Sequence, residues 1–138
     1  MHVKINWTLL DDEVHSLWDA SFCLYAYLHP RQNLPLYIGK SDYSTVSGRL
    51  RGRHKAQLFR DIRREFSIDK IRFLQGELLL EEGRRRSSAL LADVESLLIS
   101  CLQPYGNKSA TQSRISRPGL RVICRGDWPF KHKVFYDE

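Results

Sequence analysis

Two tyrosines stand where a β-hairpin would bring them side by side: Tyr25 in Cys23-Leu24-Tyr25 and Tyr37 in Leu36-Tyr37-Ile38-Gly39-Lys40. A phenol near cations can give up or relay a proton, so such a pair is a candidate for acid–base work. Strands also favour tyrosine for packing, and a cross-strand pair alone does not separate the two uses. Around the pair the chain is rich in phosphate-binding side chains, with 22 Lys and Arg against 16 Asp and Glu, a net charge of +6. Arg51, Arg53, Lys55, Arg60, Arg63 and Arg64 follow the second tyrosine run, and Lys108, Arg114, Arg117, Arg121, Arg125, Lys131 and Lys133 crowd the C-terminal segment. A surface of this kind gains affinity for nucleic acid by releasing condensed counterions, and it would hold phosphates without reading bases. The competing reading is a solvated basic surface with no partner. Trp128 or Phe130, if exposed, could stack on an unpaired base; otherwise they close a small core.

The elements that must position these residues follow from periodicity. Thr8-Leu9-Leu10-Asp11 has the form of a helix start, and Leu10, Val14, Leu17 and Trp18 repeat at helical spacing, predicting an amphipathic helix over about 8–20. Phe22 to Leu28 and Leu34 to Gly39, separated by His29-Pro30-Arg31-Gln32-Asn33, predict a β-hairpin. A helical stretch from Val46 to about Glu65 follows, weakened near its start by Gly52, and then a long strand within Ile68 to Glu81. Ser87 or Ser88 starts the most strongly patterned helix, with Leu90, Leu91, Val94, Leu97, Leu98, Cys101 and Leu102 on its apolar stripe and Pro104 as its stop. Leu120 to Cys124 and Lys133 to Tyr136 predict a short hairpin. The expected fold is α/β, a small three-stranded, mainly antiparallel sheet flanked by helices, with a core of about 22–107 and a basic C-terminal extension over 108–138.

With its order of elements, the pair Cys23-Leu24-Tyr25 and Tyr37-Ile38-Gly39-Lys40 resembles the GIY-YIG nuclease domain, although Cys23 stands where that family usually has glycine. The family also carries an arginine near the start of the next helix, a glutamate on a later helix and an asparagine just after it. Arg49 in Ser47-Gly48-Arg49-Leu50, Glu95 in Asp93-Val94-Glu95-Ser96 and Asn107 after Pro104-Tyr105-Gly106 fill those places. The resemblance implies metal-dependent hydrolysis of DNA phosphodiester bonds. Glu95 would ligate a Mg²⁺ or Mn²⁺ ion, and Arg49 would offset transition-state charge with its planar donor fork. Tyr37 would be the general base, its anion favoured by metal and cations, with Tyr25 as its hydrogen-bonding neighbour or its substitute. Lys40, Gly39, Arg51, Arg53 and Asn107 would contact substrate, Asn107 more as a strut than as a catalyst. His54 is an auxiliary candidate for proton shuttling, and Arg51 an alternative to Arg49 because His54 lies three residues beyond it. Without the resemblance, Glu95 reads as a solvated helix residue at the margin of the apolar stripe, Arg49 and His54 as surface, and Asn107 as a helix-end residue.

The bulk properties fit one soluble domain. A chain of 138 residues can bury a core without staples, and its composition suggests neither disorder nor a fibre. Cys23, Cys101 and Cys124 are odd in number and widely spaced, which fits a reducing, cytoplasmic setting with each thiol as a small buried hydrophobe. No segment approaches the ~20 apolar residues of a membrane span. Two further readings stay open: a catalytically silent nucleic-acid-binding module of the same fold, and a nuclease carried to DNA by a protein partner that the basic tail engages.

Overall fold

In a computed structural model, residues 1–10, 16–50, 53–107 and 117–137 are described, without the side chains of Ser16, Leu50, Arg53 and His54. The chain opens with a strand, β1 (His2–Leu9), where no element was expected before Thr8, and it takes in Thr8 and Leu9, where the expected helix was to start. Its residues alternate strictly: Val3, Ile5 and Trp7 are buried, while His2 and Lys4 face solvent. That two-residue period is the signal that outweighs the capping pattern at Thr8, because only a strand sends His2 and Val3 to opposite sides. Of the expected helix, Ser16–Asp19 forms a 3₁₀ turn, and 11–15 lie outside the described residues.

Strands β2 (Cys23–Leu28) and β3 (Pro35–Ser41) form the expected hairpin. Helices α1 (Val46–Leu50) and α2 (Arg53–Phe66) follow, then β4 (Arg72–Leu80), α3 (Ser88–Leu102), a 3₁₀ turn at Tyr105–Asn107, and the strands β5 (Arg121–Gly126) and β6 (Val134–Tyr136). The α/β class holds, but the sheet has six strands where three were expected, in the order β3-β2-β4-β1-β5-β6. All neighbours run antiparallel except β1 and β5, which are parallel. The C-terminal hairpin is therefore part of the sheet, because β1 leaves an edge that β5 must satisfy.

Two cores form on the two faces of this sheet. On one, α3 lays Leu90, Leu91, Val94, Leu97 and Leu98 against Leu24, Ala26, Ile38, Trp7 and Val122. Ser87 caps α3 by accepting the Leu90 N–H at 3.0 Å, and Gln103 ends it in the left-handed conformation, with φ of 47°. On the other, Tyr25 and Tyr27 pack with Val46, Ile62 and the inner side of α2. Because β2 is covered on both faces, all six of its residues are buried. Trp128 belongs to the first core, its ring 5.1 Å from that of Trp7, so it is no stacking platform for a base, and Phe130 packs beside it. Cys23 and Cys124 are buried as expected, whereas Cys101 is exposed at the outer side of α3. Among the described residues, no helix is long and apolar enough to cross a membrane.

This topology changes what a shortened chain would report. Ending at Asn107 removes β5, the parallel partner of β1, and with it Val122, Cys124, Trp128 and Phe135 from the core. Burying such a side chain is worth about 1.5–3 kcal/mol, so the group rivals the about 5–15 kcal/mol by which a whole domain is stable. Such a truncation should lose its cooperative thermal transition in near-ultraviolet circular dichroism; a native-like melt would show that the C-terminal hairpin is an accessory after all.

Candidate functional site

The register of β2 and β3 decides which side chains can meet. Tyr25 lies opposite Gly39 and Tyr27 opposite Tyr37, so the three phenols share one face. Their ring centroids are 6.1 Å apart for Tyr25 and Tyr37 and 5.1 Å for Tyr27 and Tyr37. The Tyr25 ring lies flat over Gly39: a Cβ there would come within 2.4 Å of its Cζ, so the glycine makes room for the phenol. Gly39 is buried and packs inside the protein, a use different from the substrate contact expected of it.

Helix α2 brings a lysine to this face. Lys55, Leu58, Phe59, Ile62 and Phe66 follow the spacing of one helical stripe, and the stripe faces the sheet. The Lys55 ammonium donates to the Tyr37 hydroxyl and lies 4.0 Å from the centre of its ring. Burial and the nearby Arg49 push its pKa down to about 8, against an upward pull from Glu95. Lys55 was expected only as one of several surface cations; its place on an otherwise apolar stripe is the signal that marks it.

Arg49 sits on α1, whose first turn is closed by Thr45 accepting the Gly48 N–H at 3.0 Å. It is exposed and close enough to bear electrostatically on Tyr25, Tyr37, Lys55 and Glu95. The Tyr25 hydroxyl is buried beside Arg49 and Tyr37 but makes no hydrogen bond of ordinary geometry among the described residues. Lys40 pairs with Leu24 in the register, which puts it on the α3 side of the sheet. Since β3 is the edge strand, groups from both faces converge at its margin, and there Glu95, half-buried on α3, lies near Lys40, Lys55, Arg49 and Tyr37. Desolvation raises the Glu95 pKa in spite of those three cations. Three positive side chains around one carboxylate leave the margin of β3 net cationic.

Metal and cations together were expected to favour the Tyr37 anion; without the metal, burial and the charge of Glu95 outweigh Arg49 and hold its pKa above the ordinary value. Burial likewise pushes Tyr25 and Tyr27 up. Of the pair, Lys55 is thus the group that gives up its proton first; below about pH 8 it is an ammonium donating to the Tyr37 phenol.

Asn107 is a strut. Its Oδ1 accepts the Ile38 N–H and its Nδ2 donates to the Ile38 carbonyl, both at 2.8 Å, so one side chain does for the edge of β3 what a neighbouring strand would do. Neighbouring Gly106 packs so closely that a Cβ would sit 2.9 Å from the Leu36 carbonyl. Arg51 lies outside the described residues, as do the side chains of Arg53 and His54, so the substrate-contact and shuttle roles expected of them have no location. Lys108 and Arg114 also fall outside. Arg117 is engaged internally, its Nε donating to Asp93. Arg60, Arg63, Arg64 and Arg125 are exposed, as are Lys131 and Lys133.

Among the described residues no group of three His, Cys, Asp or Glu is placed to cage a metal. The donor at this margin is a single hard carboxylate, partly desolvated, the kind of lone oxygen ligand that suits an ion keeping most of its waters. The chain matches no family model, no curated protein and no solved structure.

Replacing Asn107 with alanine would leave the buried Ile38 amide and carbonyl unpaired, a cost of about 1–3 kcal/mol for each group left unsatisfied. The variant should unfold at a clearly lower temperature than the parent; an unchanged melting temperature would mean that the edge of β3 does not depend on this contact.

Proposed function

We propose that this chain hydrolyses phosphodiester bonds of DNA with the aid of a divalent metal ion, at the margin of β3. The observation that carries the reading is the convergence of a phenol–amine pair, a guanidinium and a carboxylate from four separate elements. Packing alone would not collect three cations and a half-buried acid at the edge of a sheet, because each desolvated charge costs stability. Sites with groups pushed away from their ordinary pKa values are enriched in function. The resemblance to GIY-YIG nucleases, though carried by motifs alone, points the same way.

Each residue has a task in this reading. Lys55, as the neutral amine, accepts a proton through Tyr37, whose hydroxyl it already engages; Tyr37 thereby activates the attacking water without a free phenolate having to persist. Arg49, exposed and planar, pairs with the phosphate as charge builds on its oxygens. Lys40 adds positive field from the other side of the strand. Glu95 would hold a metal ion, Mg²⁺ or Mn²⁺, which when bound would supply Lewis-acid polarisation of the phosphate and charge for the leaving oxygen. Tyr25 packs over Gly39 and fixes where Tyr37 and Arg49 stand.

The test is nicking of supercoiled plasmid by highly purified protein. The parent should cut with Mg²⁺ or Mn²⁺ and not with EDTA, and its rate should climb with pH as Lys55, whose pKa burial and Arg49 hold below the ordinary lysine value, loses its proton. Glu95→Gln should retain DNA affinity and lose cutting, and Lys55→Met should lose roughly 10²–10⁴-fold, the usual worth of a positioned base. DNA retention without metal-dependent nicking would instead favour a silent binding module.

A further inference from the structure

The face that carries the phenols continues along α2 into a second feature, a cleft of about 690 Å³ between α2, β4 and the Ser16–Asp19 turn. Its floor is aromatic and aliphatic: Trp18, Phe59, Ile71 and Phe73 all line it and all are partly exposed. Trp18 meets Phe73 edge-on at 5.4 Å, and Phe59 is stacked on Tyr27 at 4.9 Å, so the rings run without a break from Tyr37 through Tyr27 into the cleft. Its rim is cationic. Arg63 lies over Phe59 at 5.9 Å and Lys70 faces solvent; Arg72 is anchored to the His29 and Gln32 carbonyls, with Asp69 as the opposing acid. Three cations against one carboxylate repeat the charge sign of the margin of β3.

We infer that this cleft receives an unpaired nucleobase from the strand being cut. The inference rests on the phosphodiesterase reading and narrows it to substrates with single-stranded character. Three arguments select this occupant over an apolar protein segment. The floor offers partly exposed aromatic side chains, against which any base can pack without being read. The rim offers positive charge to the phosphates that must accompany the base. The geometry is continuous with the proposed site: Lys55, Phe59 and Arg63 are spaced four residues apart on one helix, so at 1.5 Å per residue the cleft begins about 6 Å and its rim stands about 12 Å along the helix axis from Lys55. At about 3.4 Å per stacked nucleotide, that is some two to four steps along one strand. A base held in a duplex has no free face to offer, whereas a flap, a gap or a single strand does. The cleft volume falls within the range of small-ligand sites, about 300–1,000 Å³.

The experiment uses Glu95→Gln protein in EDTA, so that binding is read with no cutting, and follows tryptophan emission. Trp7 and Trp128 are buried in the core on the other face of the sheet, so the signal sensitive to a ligand here is that of Trp18. A twelve-residue oligothymidylate should quench the emission and bind more tightly than a blunt duplex of equal length. The quench should vanish in Trp18→Phe. Affinity should fall roughly five- to 150-fold in Trp18→Ala, the usual worth of one stacked base. Arg63→Ala, at an exposed position, should keep the parental melt and lower the salt slope of binding by about one. A strand of the same length with abasic sugars that binds and quenches equally well would overturn the inference, since it would show backbone contact alone. Oligonucleotide binding that leaves Trp18 unperturbed would overturn it too, and would leave the cleft to an apolar protein segment. Quenching by single strands from a protein that never nicks plasmid would sink the nuclease reading and keep the cleft; nicking without quenching would do the reverse.

Discussion

An ammonium group held against a phenol inside a protein face is costly to keep, and the Lys55–Tyr37 contact sets the terms for everything around it. Desolvation drives the amine toward its neutral form, Arg49 pushes it further, and only Glu95 pulls the other way. Such a balance survives only if the elements bearing the groups cannot drift apart. The sheet register fixes Tyr37 and Lys40, the stripe of α2 fixes Lys55, and the packing of α3 fixes Glu95. Asn107 then closes the outer edge of β3, where a free strand margin would otherwise be open to slippage or to pairing with another chain.

The edge position is also what makes the arrangement usable. In the interior of a sheet, side chains from opposite faces are separated by the sheet itself; at β3 they can meet around the margin. Lys40 and Glu95 approach from the α3 side and Tyr37, Lys55 and Arg49 from the other. The remaining strands serve as ballast. β1, inserted between β4 and β5, carries Trp7 into the core, and Gly76 opposite it leaves the space that the indole occupies, since a Cβ there would lie 2.9 Å from Ile5 Cγ2 and from the ring. Much of the apolar burial thus lies away from the margin of β3, which lets that margin hold charges that destabilise it locally.

What could be read in the chain before the fold was known divides along physical lines. The hairpin and α3 with its Ser87 cap were legible because local periodicity carries them, whereas the gathering of Tyr25, Tyr37, Arg49 and Glu95 was an expectation of the GIY-YIG resemblance; by its own position Glu95 reads as a solvated helix residue. β1 was missed: no element was read before Thr8, and its last two residues were taken for a helix start, because the alternation gains its energy from partners about 70 and 120 residues away in the chain, as the pairings of Ile5 with Leu78 and Cys124 illustrate. The size of the sheet was missed for the same reason: pairing between distant strands leaves no local trace. Lys55 was hidden among neighbouring cations although its position on an apolar stripe distinguished it. The sign of the Tyr37 shift depends on burial, and burial is a property of the assembled fold.

The central claim is that four chemically distinct side chains share one electrostatic environment at the margin of β3, with Lys55 at its centre. The most direct measurement is the titration of the Lys55 side chain in metal-free protein, followed through its ε-carbon by nuclear magnetic resonance. A midpoint near 8, moving lower still when Glu95 is replaced by glutamine, is the outcome this account requires. A midpoint at the ordinary lysine value, indifferent to Glu95, would contradict it.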